Sequence, residues 1–184
     1  VTTFVIETVP HERLTEDDVA RLRELFDVEY LAQFGEWDPD QPYGYAPHDL
    51  HVIARLGHDV VGHVGWARRT IGVGTAEVVI AGVGGVLISP RARGEGAGAR
   101  LMAAATASMI EAGGIEFGYL GCREDVVPFY ASCGWQRVTA AEKSIDRAGC
   151  PVTQPPGPPI LLLPVEAPLD SWPAGAIDLR GRAW

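Results

Sequence analysis

The sequence predicts an α/β (α+β) fold in which one mixed sheet is flanked by a few helices. Three observations predict it. Short β-branched and apolar runs recur between turn residues, and two stretches carry apolar residues at helical spacing. One glycine-bearing apolar run also passes through a glycine-rich turn straight into a helical pattern. Composition sets the bounds: 24 acidic against 15 basic residues give 184 residues a formal charge of −9, with 47% hydrophobic positions. A chain of this length buries roughly two-thirds of its unfolded surface, so it needs no disulfide or structural metal. The negative charge disfavours nucleic acid and anionic membranes as partners and favours a cationic small molecule. No run approaches the roughly 18 apolar residues of a membrane span, and residues 1–10 lack a signal-peptide pattern. Cys122, Cys133 and Cys150 are too widely spaced for a zinc signature. The expectation is one domain over residues 1–184, cytoplasmic, with reduced thiols and no metal site.

The elements follow in order. Residues 3–8 (TFVIET) read as a strand that ends at Pro10. Thr15 caps the next helix, Glu16, Asp17 and Asp18 fill its first turn, and Val19, Leu22, Leu25 and Phe26 form its apolar face. Residues 34–47 (FGEWDPDQPYGYAP) are too irregular for an element and too aromatic for a linker, which suits a binding loop. Residues 50–56 and 60–71 form a hairpin about Gly57-His58-Asp59. Residues 77–89 (EVVIAGVGGVLIS) read as a central strand whose Gly82, Gly84 and Gly85 mark a bulge or a close approach. After the turn at residues 91–98, Leu101, Met102, Ala105 and Met109 line a helix that stops at Gly113-Gly114. A strand at 115–120, a short helix at 124–132 and a strand pair from Gly134-Trp135 come next. The Pro and Gly cluster at 151–159 then leads into 160–165 (ILLLPV), an apolar run that suits either the core or a dimer interface.

Backbone N–H groups in a glycine turn at a helix N-terminus converge, and the helix dipole adds positive charge, so the turn suits a pyrophosphate. The sequence is neither a P-loop, which ends in Gly-Lys-Ser/Thr, nor a dinucleotide GxGxxG after a first strand. Taken alone, it is also compatible with a tight connection. With Pro90 before it, Arg93-Gly94-Glu95-Gly96-Ala97-Gly98 in it and Phe129-Tyr130-Ala131-Ser132-Cys133-Gly134-Trp135 downstream, the chain resembles the GNAT superfamily of acetyl-CoA-dependent N-acyltransferases. The resemblance implies the GNAT fold: a mixed, mostly antiparallel sheet of about six to seven strands, splayed at a bulged central strand, with about four helices. It implies acetyl-CoA as cofactor, its pantetheine arm paired to the backbone of Val86, Leu87 and Ile88. Its pyrophosphate would be cradled by Arg93, Gly94, Glu95, Gly96, Ala97 and Gly98. Tyr130 would protonate the leaving thiolate; read from the residue alone, a packed core tyrosine is the alternative.

Two branches are similar. Tyr130-Ala131-Ser132-Cys133-Gly134-Trp135 and the final Trp184 resemble the aminoglycoside 2'-N-acetyltransferases. Ala67-Arg68-Arg69, Pro90, residues 171–175 and Ile177-Asp178 resemble the nodulation N-acyltransferases, which place a fatty acyl group on a chitin-oligosaccharide amine. Both imply a small-molecule amine acceptor, with Gly84, Gly85 and Trp184 near it, and a possible homodimer. The sequence departs from the aminoglycoside branch where Gly84 and Arg182 replace its acids. Glu36, Asp38 and Asp40 in the loop are the remaining acids for a cationic acceptor, or else an ordinary solvated surface. His63, Asp49 and Glu77 are candidate bases, each of them also ordinary as a structural residue, and Cys122 has no assigned role.

Overall fold

The computed structural model describes residues 3–184. Strand β1 (Val5–Pro10) leads through one 3-10 turn to helix α1 (Glu16–Phe34). The helix starts where the sequence places it: Asp18 N donates to Thr15 Oγ1 at 3.1 Å, and Thr15 N donates to the Asp18 carboxylate at 2.9 Å. This reciprocal capping box satisfies two otherwise orphaned donors. Leu22, Leu25 and Phe26 form the buried stripe.

Three long antiparallel strands follow: β2 (Leu50–Leu56), β3 (Asp59–Val73) and β4 (Ala76–Ile88). Helix α2 (Ala97–Ala112) then crosses to β5 (Phe117–Gly121), which runs parallel to β4. Next come α3 (Val127–Ser132), β6 (Gln136–Val138), the β7 (Glu142–Ile145) and β8 (Pro151–Gln154) hairpin, β9 (Ile160–Pro164) and β10 (Ile177–Arg182). All ten strands share one mixed sheet, larger than the six to seven expected. The surplus comes from the β7–β8 hairpin and from β10, whose apolar signal is only Ile177 and Leu179 among Asp178, Arg180 and Arg182. The α-helices number three among the described residues, not about four. Pro39, Pro42 and Pro47 hold the loop after α1 to a single 3-10 turn, because proline cannot continue a helical ladder. The 160–165 run is core: β9 pairs with β5 on one side and β6 on the other.

Helix α2 covers one face of the sheet, packing Leu101, Met102, Ala105 and Met109 on Val52, Ala54 and Val64. Helix α1 covers part of the other, over Ile53, Val60 and Leu87. Strand β3 forks: its first half pairs with β2, and Gly72 and Val73 at its far end pair with β10. Between its pairs Gly65↔Gly84 and His63↔Leu87, the β3–β4 register slips by one residue, and Gly85 takes φ 58°. That is the expected bulge, at a glycine where a left-handed backbone costs least. On its other edge β4 pairs with β5 only from Ile80↔Phe117 to Gly82↔Tyr119. Past Gly82 the two strands part. No helix among the described residues is long and apolar enough to cross a membrane.

Thr15→Ala removes one half of the capping box. It is expected to cost about 1 kcal/mol and to lower the melting temperature by about 2–4 °C, as read by thermal denaturation.

Candidate active site

Four parts of the fold meet where β4 leaves β5. The first is the glycine turn. Ser89 Oγ accepts from Arg91 N, Pro90 opens a 3-10 turn, and Gly94 (φ 81°) and Gly96 (φ 77°) bring the chain into α2. No atom lies within 4 Å of where a Cβ would sit on Gly94 or Gly96, so both face open space. Gly96 caps α2 without a side-chain bond, which leaves the first-turn N–H groups free for an anion. Gly98 is different in kind: it lets the Phe129 ring approach. Arg93 turns away from the turn, donating to Ile88 O at 3.1 Å and to Glu29 of α1 at 2.9 Å. Glu95 and Ala97 complete the turn, Glu95 exposed and Ala97 buried.

The second part is the parted edge. Val86, Leu87 and Ile88 lie on β4 beyond its last pair with β5, so their backbone groups on that side are not paired to it. Tyr130, on α3, packs into the same apolar cluster as Val86, Ile88 and Leu120. Its hydroxyl makes no hydrogen bond among the described residues, and burial raises its phenol above the ordinary tyrosine range. Cys122 stands at the end of β5, and burial pushes its thiol up, away from the reactive thiolate.

The third part is a cleft of about 690 Å³ on the far side of the opening, lined by Tyr45, Val83, Tyr119, Glu142, Asp146 and Trp184. Trp184 lies flat on β4. A Cβ on Gly82 would overlap its ring, and a Cβ on Gly84 would overlap its backbone. Side chains, acidic ones included, therefore have no room at Gly84. Arg69 sits over the other side of the Trp184 ring at 3.9 Å and donates to Leu179 O and Arg182 O. Arg182 donates to Gly44 O, Asp146 O and Arg147 O, which joins the loop after α1 to the β7–β8 hairpin. Its replacement of an acid is thus structural. The half-buried Glu142 accepts from Tyr119 Oη, and burial raises its carboxyl.

The structure does not bring the loop acids to this cleft. Glu36 pairs with Arg23 at 3.1 Å, Asp38 accepts from Asp40 N, and Asp40 meets His11 at 2.9 Å. Two of the candidate bases are also committed elsewhere: Asp49 accepts from Arg68 N at 2.7 Å, and Glu77 pairs with Arg180. The third, His63, belongs to the fourth part of the site.

That part is a row of histidines under α1, of which sequence reasoning singled out only one. Gly85 O can only accept, so His63 Nδ1–H donates to it, at 2.6 Å. Neutral His63 must then accept at Nε2, from His51 Nδ1–H at 2.9 Å. His51 Nε2 accepts in turn from His11 Nδ1–H at 3.0 Å, and His11 Nε2 lies 2.9 Å from the Asp40 carboxylate, a pairing that requires a proton on both His11 nitrogens. One carbonyl thus fixes the tautomers of His63 and His51. His48 packs beside the row with neither ring nitrogen bonded among the described residues. Burial first, then the neighbouring histidines, pulls His48 down to about 3; burial alone depresses His63 to about 4 and, with its neighbours, also lowers His51. Hairpin register was the available signal, since it sets His51 opposite Gly65 and His63 opposite Ile53 on one face. Glu142 and Asp146 gave none, as their approach depends on strands far apart in the chain.

Residues 7–183 match the model of the family described as nodulation protein A (NodA). The chain belongs to the nodulation protein A family. The segments that resembled this family have structural work in the NodA fold. Arg68 donates to Gly113 O at 2.5 Å at the end of α2, and Arg69 supports Trp184. Trp172 packs edge-on to Phe117 at 5.2 Å. No curated protein matches the chain in sequence. Solved structures share the fold. Escherichia coli ElaA is 19% identical with a TM-score of 0.60, over 87% of this chain and 98% of its own. A Brucella melitensis GNAT acetyltransferase in complex with acetyl-CoA is 17% identical with a TM-score of 0.61, over 96% of each chain. Escherichia coli YhbS in complex with CoA is 13% identical with a TM-score of 0.63, over 97% of this chain and 91% of its own. This NodA-family chain is an acyltransferase with the fold of these GNAT structures.

His48, His51 and His63 are neutral when folded and titrate near about 6.5 when unfolded. Their folded values are the lower ones, so their contribution to stability is complete above that pH and is lost as pH falls below it. Unfolding near pH 5.5 should take up about two to three protons, giving a urea midpoint that falls steeply from pH 6.5 towards 4.5. A flat midpoint over that range would contradict the neutral row.

Proposed function

We propose that this chain transfers an acyl group from a coenzyme A thioester to the primary amine of an amino sugar, by direct attack. The observation that carries the reading is the parted β4 edge, which opens between a free glycine turn on one side and an acid-bearing cleft on the other. The residues present fit such a donor. Gly94 and Gly96 leave space, the α2 N-terminus offers unpaired N–H groups, and the edge from Val86 to Ile88 can pair an extended arm as another strand would. When bound, the thioester supplies an acyl carbon open to nucleophilic attack.

On the acceptor side, Glu142 and Asp146 draw a cationic amine into the cleft, and Tyr45 and Trp184 offer flat faces to a sugar ring. On the donor side, Tyr130 gives its proton to the departing thiolate. Its raised phenol stays protonated at neutral pH, and its hydroxyl has no competing partner among the described residues. Acetyl is the smallest acyl group the reading allows. Membership of the nodulation protein A family over residues 7–183 favours a longer one, carried on CoA or on an acyl carrier protein.

Thiol release from acetyl and longer acyl donors tests the reading. The acceptor panel pairs glucosamine oligosaccharides with their N-acetylated forms, and aminoglycosides bearing a 2'-amine with 2'-hydroxyl counterparts. Turnover confined to free amines supports it; release indifferent to the amine removes it. Tyr130→Phe should lower kcat by about 10²- to 10⁴-fold with little change in the KM for donor. Gly96→Trp should abolish donor binding in calorimetry, because the indole fills the turn.

A further inference from the structure

We propose that His48 is the catalytic base of this transfer, the group that takes the proton from the acceptor nitrogen. The inference rests on the acyl-transfer reading above and adds the residue which that reading lacks. Four of the five histidines in the chain cluster at the bulge, and only one of the four has a nitrogen to spare. His63 is used at both nitrogens, by Gly85 O and His51, and His51 is used by His63 and His11. His11 is used by His51 and Asp40. His48 is 4% exposed, and both its nitrogens are without a partner. A buried polar group left in that state is costly, and the proposal makes the acceptor nitrogen its missing partner.

Its position suits the role. The His48 ring lies against Gly65 of β3, where a Cβ would overlap it. Its Nε2 is 3.1 Å from the Cβ position of Gly84, and its Cε1 is 3.3 Å from that of Gly85. These are the residues where β4 bulges and leaves β5, and Gly84 is touched from the same side by Trp184, which lines the cleft. His48 therefore stands at the bulge, behind the Trp184 that lines the cleft. Rings of His51 and His63, with centroids 5.8 and 5.9 Å away, wall it off on the inner side. Being neutral, it keeps a lone pair for the incoming nitrogen.

The step balances as follows. The acceptor loses one proton to water as it enters and reacts as the free amine. Its nitrogen lone pair forms the C–N bond at the acyl carbon while the C–S bond breaks and sulfur keeps the electron pair. The nitrogen, made acidic by bond formation, passes its surplus proton to His48, and the sulfur takes the proton of Tyr130. Solvent then carries the proton from His48 back to Tyr130, and both groups are restored.

The test compares His48→Gln and His48→Phe with the parent protein, using a glucosamine tetrasaccharide as acceptor and acyl-CoA donors. The expected result is a kcat about 100-fold lower in both variants, with the KM for donor within about threefold and folding retained in thermal melts. Nitrogen-15 NMR of histidine-labelled parent protein is the second readout and survives a variant that fails to fold. Adding the tetrasaccharide should move the His48 ring resonances and leave those of His51 and His63 in place. Variants that keep the parent kcat, a loss that tracks only melting or donor binding, or an unmoved His48 signal would each overturn the assignment. A parent that binds acyl-CoA but acylates no amine would instead sink the acyl-transfer reading, and the base with it.

Discussion

A parallel pair of strands needs its ladder only as long as the side chains between the strands can fill the gap, and here the β4–β5 ladder ends after three residue pairs. The bulge at Gly85 lies on the other edge of β4, just past that end, and residues of α2 and α3 pack with those of both strands in one cluster. Both halves of the site exist because of that lost pairing. On the proposed reading the donor lies along the β4 edge continued into the α2 N-terminus, and the acceptor lies in the cleft beyond the opening.

Glycine does two separate jobs around the opening. Gly94 and Gly96 are glycines for conformation, with open space around them, whereas Gly82 and Gly84 are glycines for room, because Trp184 lies on them. The second pair explains the chain's departure from the aminoglycoside branch. Where that branch places an acid on the central strand, this chain places a tryptophan above a bare backbone, and Glu142 on β7 is one of the acids that line the cleft.

What could be read from the sequence follows contact distance. The cap at Thr15, the hairpin about Gly57 and the strand–turn–helix unit at 76–112 are local, and periodicity and turn chemistry reveal them. The bulge was visible as glycines in an apolar strand. Strand β10 and Glu142 were not, because each depends on segments that meet only across the finished sheet, whereas the facing of His51 and His63 lay in the hairpin register. Loop acids drew attention as the nearest negative charge in the chain, but their partners proved to be Arg23, His11 and the loop backbone.

The two halves of the site differ in how far along the chain their contacts reach. The donor turn closes within a single strand–turn–helix unit, while the acceptor wall is held by Arg69 to Arg182 across 113 residues and by Arg182 to Gly44 across 138. Closing loops of that length costs entropy that only a nearly complete sheet can offset. The donor turn is thus a local structure, whereas the Trp184 wall of the cleft exists only once strands far apart in the chain are in place.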